Sequence, residues 1–248
     1  EGGDIIMGAL LTYDGQTLYT NSSFDGDFLS GDGGNDWITG SGGDDIIDGG
    51  DGNDLISGLD GQDTLLGGLG NDLIAGGKHD TQLYGGDGDD ILLAAGYFYS
   101  SSGGTITLDN LAQYSATLSY YFSGGQQLFP LSYTSQNFYT ADVTEDPGNN
   151  TLYGGAGNDL MRGGGGEDVL YGEEDHDSLS GGGGADSLYG GSGQDNLIGD
   201  NGDMVETTKD GDDFLFGGHG DDCLFGLGGA DTLYGEQGDD QLLGGSGN

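Results

Sequence analysis

A period of nine residues runs through most of this chain, and no other feature constrains its fold as tightly. Residues 49–57 read Gly-Gly-Asp-Gly-Asn-Asp-Leu-Ile-Ser, that is Gly-Gly-x-Gly-x-Asp-x-U-x with U a large aliphatic residue. The pattern returns at 67–75, 85–93, 154–162, 163–171, 181–189, 190–198 and 217–225. Self-similarity at a short fixed period marks a solenoid, and a glycine-rich period of nine marks a parallel β-helix. Six residues rich in Gly can turn sharply, because Gly accepts positive φ at little steric cost. The remaining x-U-x makes a short strand with U on one face and its neighbours on the other. Two repeats close one coil. Stacked coils then place two facing columns of U residues inside: Ile38, Ile47, Ile56, Leu65, Ile74, Leu83 and Leu92, then Met161, Leu170, Leu179, Leu188, Leu197, Leu215, Leu224, Leu233 and Leu242.

The Asp at position six of each repeat carries the chemistry. Turns on one side of the coil recur every eighteen residues, so Asp36, Asp54, Asp72 and Asp90 are expected in one column, with Asp45 and Asp63 opposite. In the second half the same count gives Asp168, Asp186, Asp222 and Asp240 on one side. It gives Asp159, Asp177, Asp195, Asp213 and Asp231 on the other. Carboxylates stacked about 4.8 Å apart repel strongly unless a cation lies between them. Calcium suits the place, since it takes six to eight hard oxygens and turn carbonyls can supply the remainder. A general preference of Asp for turns explains scattered Asp, not Asp fixed at one position of nine. Two units depart from the pattern: Thr81 stands at the ligand position beside Lys78, and Met204 stands there with Glu206 at the core position. Neither Thr nor Met replaces a carboxylate for a hard cation, so both are expected to be defective.

With these repeats the chain resembles the RTX (repeats-in-toxin) calcium β-roll family over most of its length outside one insert. The resemblance implies several Ca2+ ions, each held between two stacked turns on one side of the roll. It also implies a module that stays unfolded in a low-calcium cytosol, passes a type I secretion channel and folds outside the cell.

Composition agrees with that setting. The 248 residues include 59 Gly, only three Lys or Arg, and a formal net charge of −41. High net charge with low hydrophobicity ordinarily means disorder. Here the apolar residues are periodic, so disorder without calcium and order with it is expected. The charge excludes nucleic acid and anionic membranes as partners. No run of roughly eighteen apolar residues exists to span a bilayer. The single cysteine, Cys223, cannot staple the fold. Weak calcium modules work in millimolar calcium, which points to an extracellular or cell-surface location. The chain shows no signal peptide and starts and stops within repeats, so it is expected to be a segment of a longer protein.

The fold expected is all-β: a calcium-binding parallel β-roll, or β-helix solenoid, in two blocks with an aromatic-rich β insert. Residues 1–30 form irregular opening coils, 31–93 the first block, 94–148 the insert and 149–248 the second block. Asp4-Ile5-Ile6 and Asp27-Phe28-Leu29 resemble repeat ends. In the insert, 105–108 and 116–121 have strand composition. The frame resets across it, because ligand positions 90 and 150 differ by 60, which is not a multiple of nine. Around Met204 either a distorted coil or a looped-out segment fits. Two apolar ladders are expected on the outer surface: Trp37, Leu55, Leu73 and Ile91, and Tyr153, Tyr171 and Tyr189 followed by Phe225 and Leu243. Such columns mark contact surfaces, unless the insert folds back over one of them.

No catalytic constellation accompanies the repeats. There is no His-Glu-x-x-His, no Gly-x-Ser-x-Gly and no complete phosphate-binding loop. His79, His176 and His219 fall in turns without partners for a triad, and are expected to be solvated. Asn21 and Asn149 are weak glycosylation signals. The chain is therefore read as a non-enzyme. The first functional expectation is an extracellular calcium-binding structural protein, such as a surface-layer, adhesin or filament component. It would self-associate or contact other surface proteins once calcium is bound. The alternative is the calcium-folding secretion module of a larger type I-secreted RTX toxin or hydrolase. Carbohydrate binding by the tyrosine-rich insert is a third reading, resting on aromatic content alone.

Overall fold

The computed structural model describes residues 5–7, 26–77, 79, 81–95, 148–200 and 210–247. The expected strands of the insert, the unit containing Met204 and Glu206, Lys78 and Asn21 lie outside the described residues. Each x-U-x opens a strand: β1 (Ile5–Met7), β2 (Phe28–Ser30), β3 (Trp37–Thr39), β4 (Ile46–Asp51), β5 (Leu55–Leu59) and β6 (Thr64–Leu69). Then follow β7 (Leu73–Gly77), β8 (Gln82–Asp87), β9 (Ile91–Ala95), β10 (Thr151–Ala156), β11 (Leu160–Gly165) and β12 (Val169–Glu174). The series ends with β13 (Ser178–Gly183), β14 (Ser187–Ser192), β15 (Asn196–Asp200), β16 (Phe214–His219), β17 (Cys223–Gly228), β18 (Thr232–Gln237) and β19 (Gln241–Ser246). No helix occurs among the described residues. Odd-numbered strands form one ten-stranded parallel sheet and even-numbered strands a nine-stranded one. The all-β parallel solenoid expected from the period is the observed architecture.

The U residues lie between the sheets as expected. Ile38, Ile47, Ile56, Leu65, Ile74, Leu83, Leu92, Leu152, Met161, Leu170, Leu188, Leu197, Leu215 and Leu224 are fully buried. Leu242, in the last strand, is exposed. Even the irregular start obeys the register, with Ile6 paired to the core residue Ile38 and Leu29 to Ile47. Gly makes the close stacking possible. Gly52 has φ 137°, and a Cβ there would overlap the carbonyl oxygen of Gly34 one coil away.

The two blocks form one uninterrupted stack. Strand β9 pairs directly with β11, matching Ile91 to Leu160, and β8 pairs with β10, matching Tyr84 to Tyr153. Partners there are 69 residues apart rather than eighteen, so the sequence frame resets while the sheet register continues. A second long coil lies further on. Asn196 pairs with Cys223 and Ser187 with Phe214, a spacing of 27 residues. The two expectations for the Met204 region fall on residues outside the described ones; the pairing shows only that the coil containing them spans 27 residues. Nine extra residues are half a coil, so every later repeat changes sides. The columns expected beyond Asp195 are therefore corrected: Asp213 and Asp231 stack with Asp168 and Asp186, whereas Asp222 and Asp240 stack with Asp159, Asp177 and Asp195.

The same half-coil shift corrects one outer ladder. Tyr189 is followed by Phe216 and Tyr234, not by Phe225 and Leu243, which continue from Ile198 on the odd-numbered sheet. The other ladder is only partly on the surface, because Leu55 is fully buried.

Candidate metal centre

The turns that lead into the odd-numbered strands carry Asp36, Asp54, Asp72, Asp90, Asp159, Asp177, Asp195, Asp222 and Asp240. Along this column each Asp backbone N–H donates to Oδ1 of the Asp one coil on, at 2.7–3.0 Å. That bond fixes one carboxylate oxygen in the ladder and turns the other into the loop. The turns that lead into the even-numbered strands carry Asp27, Asp45, Asp63, Thr81, Asn150, Asp168, Asp186, Asp213 and Asp231. There the same bonds measure 2.7–3.1 Å wherever Asp follows Asp.

Oδ2 is left in an unusual state. In Asp54, Asp63, Asp72, Asp90, Asp159, Asp177, Asp186, Asp195, Asp213 and Asp222 it is buried and accepts no hydrogen bond from any described residue. These Asp residues are buried nearly completely. A buried charge without a partner is costly, so an arrangement repeated along both columns calls for a cation. The surroundings fit one. A Cβ on Gly49 would overlap both Asp54 Oδ2 and the Gly67 carbonyl oxygen. Two oxygens therefore converge on one point, and only a residue without a side chain leaves that point open. The same holds at Gly67 for Asp72 and Gly85, and at Gly172 for Asp177 and Gly190. Among the described residues no three His, Cys, Asp or Glu side chains converge. The donor set is instead carboxylate plus backbone carbonyl, all hard oxygens, which suits Ca2+ over Zn2+.

The electrostatics agree. Burial, reinforced by the neighbouring carboxylates of the column, pushes Asp72 up to about 8 and Asp90 and Asp186 up to about 9, although the N–H from the preceding coil opposes it. Asp177 and Asp213 rise to about 8 for the same reasons. Asp54, Asp63 and Asp195 rise to about 6. A carboxylate held this high without a metal is one that a bound cation would ionise.

One step differs. Thr81 N–H donates to Asn150 Oδ1 at 2.9 Å and Thr81 Oγ1 to the same atom at 3.1 Å. Asn150 Nδ2 then donates to the Gly148 carbonyl at 3.1 Å, the Gly163 carbonyl at 3.3 Å and Asp168 Oδ1 at 3.1 Å. In the cradle between Asn150 and Asp168, the amide nitrogen takes the place that Oδ2 has elsewhere and donates to the Gly163 carbonyl, the counterpart of the Gly67 carbonyl beside Asp54 Oδ2. Thr81 was legible as a defect in the sequence. Asn150 was not, because the count that places it next to Thr81 requires the 69-residue pairing.

Other residues also escaped the sequence reading. Asp27 opens the second column. Buried Asp200 accepts from Gly211 N–H at 3.1 Å and Gly228 N–H at 2.9 Å, tying the end of β15 to the described residues that follow. Position five forms a ladder of its own through Asn35, Asn53, Asn71, Asp89, Asn158 and His176. His79, His176 and His219 are exposed, as expected.

A family model described as the RTX calcium-binding nonapeptide repeat (4 copies) matches residues 23–56, 57–92, 146–179, 171–203, 207–233 and 224–248. No curated protein matches the chain.

Proposed function

The chain belongs to the family of RTX calcium-binding nonapeptide repeats, and from that premise we propose that it is an extracellular structural module that calcium folds and then allows to assemble. The observation that carries this reading is the row of buried Oδ2 atoms that accept no hydrogen bond from the described residues. Asp36, Asp45, Asp54, Asp63, Asp72, Asp90, Asp159, Asp168, Asp177, Asp186, Asp195, Asp213, Asp222, Asp231 and Asp240 supply the carboxylates, and turn carbonyls supply the neutral oxygens. Asp27 joins them, while Thr81 and Asn150 do not. Bound calcium supplies positive charge where the folded chain concentrates negative charge. Roughly a dozen divalent ions would offset over half of the −41, so binding energy becomes folding energy.

Assembly follows from the same charge. A chain this acidic repels its own copies until cations neutralise its turns. Support for a structural rather than catalytic role comes from the repeats themselves, which fill the described chain with core, strand and turn. No helix of the described residues is long and apolar enough to cross a membrane.

Circular dichroism and light scattering across a calcium titration test the reading. The expected result is a β-rich, associating chain in millimolar calcium and an unfolded one in chelator. A chain that stays β-rich in chelator overturns the calcium-coupled fold. A calcium-folded chain that stays monomeric at high concentration favours the alternative, the secretion module of a larger RTX protein.

A further inference from the structure

We propose that the outer face of the even-numbered sheet is the surface through which two copies of this chain associate, ladder against ladder. The proposal rests on the assembly reading above and names its surface. On strands β2 to β18 the outward positions are Phe28, Ile46, Thr64, Gln82, Thr151, Val169, Ser187, Phe214 and Thr232 in one row. The parallel row holds Ser30, Asp48, Leu66, Tyr84, Tyr153, Tyr171, Tyr189, Phe216 and Tyr234. In a chain of 44 Asp and Glu, Asp48 is the one charge in either row. All these positions are half-buried or exposed, and among the described residues no element packs over the face.

Its second row is also pre-ordered. Tyr84, Tyr153, Tyr171, Tyr189, Phe216 and Tyr234 stack ring on ring, with centroids 4.9–5.0 Å apart and planes within 4–12°. The row passes both long coils without a break: Tyr84 meets Tyr153, and Tyr189 meets Phe216. Rings already held in place lose little side-chain freedom on contact, which removes one cost of association. The odd-numbered sheet differs. Its outward Leu55, Ser57, Ala75, Leu160, Ser180 and Ile198 are buried.

Three arguments choose a second copy as the occupant. Charge is the first: a cationic partner would be drawn to the acidic turns and would gain little from a face whose rows carry a single charge, Asp48. Two copies, each strongly acidic elsewhere, can meet closely only where charge is this sparse. Repeat is the second. A rigid row of side chains interdigitates over its whole length only with a surface of the same repeat, and a copy of the face supplies it. Area is the third. Nine strands extend about 40 Å, and a strip about 15 Å wide makes roughly 600 Å² per copy, or roughly 1,200 Å² in total, which reaches the lower bound of specific interfaces. An isologous pair closed by a two-fold axis uses the same patch twice.

Sedimentation velocity of the full chain in millimolar calcium, with Val169→Glu and Ser187→Glu together, tests the surface. Both side chains lie in the row beside the rings, so the stack is kept while charge is placed at the centre of the face. The expected result is a calcium-folded chain whose self-association is at least tenfold weaker. Ser178→Glu, on the outside of the odd-numbered sheet, is expected to leave association unchanged. Should the double variant fail to fold, Thr151→Glu alone puts one charge on the same face, and unchanged association of that variant overturns the proposal. Association that survives the double exchange but is lost with Ser178→Glu also overturns it and leaves calcium-driven assembly standing. A wild-type chain that stays monomeric in calcium overturns both, as does a monomer whose ladder instead binds a soluble β-linked polysaccharide.

Discussion

The two turn columns of this solenoid are built from the same repeat, yet they solve the same electrostatic problem differently. In the column from Asp36 to Asp240 every step sets carboxylate on carboxylate, through both long coils. In the column from Asp27 to Asp231 the run is interrupted where Thr81 meets Asn150. That interruption falls where the partners are 69 residues apart rather than eighteen. The contrast teaches that the need for a cation is set step by step. At steps such as Asp54–Asp72 and Asp177–Asp195, a buried Oδ2 accepts no hydrogen bond from a described residue, whereas Asp45 Oδ2 accepts Ser41 N–H at 2.8 Å. Where Asn150 takes the place, its own Nδ2 satisfies two carbonyls and Asp168 Oδ1. An amide donor in a buried cradle does at one position what a divalent ion is expected to do at the others.

Removing calcium is the strongest way to sharpen this contrast. Chelation is expected to abolish protection from hydrogen exchange along the all-Asp column, because its steps lose their only counter-charge. Any residual protection should centre on the Thr81–Asn150 step. Protection that persists evenly through both columns in chelator would break the comparison.

A charge in the shared core comes next. Leu188 is fully buried between the sheets, while Ser178 lies half-buried on the outside of the odd-numbered sheet. Leu188→Asp should cost several kcal/mol, on the order of the largest single-residue effects, whereas Ser178→Asp should stay within about 0.5 kcal/mol. Calcium-dependent melting of both variants measures the difference. Ser57, the neighbour of core residue Ile56, would be a poor control, since it is itself buried.

The pH response of the calcium-free chain follows from the raised carboxyls. Asp72, Asp90, Asp177, Asp186 and Asp213 move from 3.8 to about 8 or 9 when folded without metal, chiefly by burial. The folded chain thus holds protons more tightly than the unfolded one. Their contribution is fully present below about pH 4 and is lost as pH rises toward 8 or 9. In chelator, β-structure should therefore increase as pH falls from 8 to 5, read by circular dichroism. In calcium the trend reverses, because protons compete with the ion for the same oxygens. A calcium-free chain indifferent to pH over this range would contradict the burial of these groups.

The smallest effect is the most local. Asn150→Asp exchanges an amide donor for a second carboxylate and restores an Asp–Asp step above Asp168. Calorimetric titration should find one more calcium per chain, and the calcium-free form should lose about 1–3 kcal/mol from the donor removed. An unchanged stoichiometry would mean that the cradle at Gly163 is closed to cations.

Sequence alone determined the fold class and most of the carboxylate set, for a physical reason. A nine-residue period with Gly in the turns and one aliphatic residue per strand leaves almost no other way to bury apolar surface. Position six is then defined by counting, so Asp36 to Asp90 and Asp159 to Asp195 were legible as columns. Counting fails wherever a coil is longer than two repeats. The chain carries no local mark to tell an eighteen-residue coil from the 27-residue one that contains Met204, so Asp213, Asp222, Asp231 and Asp240 were assigned to the wrong sides. For the same reason Asn150 could not be placed against Thr81, nor Phe216 and Tyr234 in line with Tyr189. Only the tertiary structure settled these, because strand pairing depends on which hydrogen-bonding edge the chain returns to, 69 or 27 residues later, and that edge is a property of the stack rather than of any one repeat.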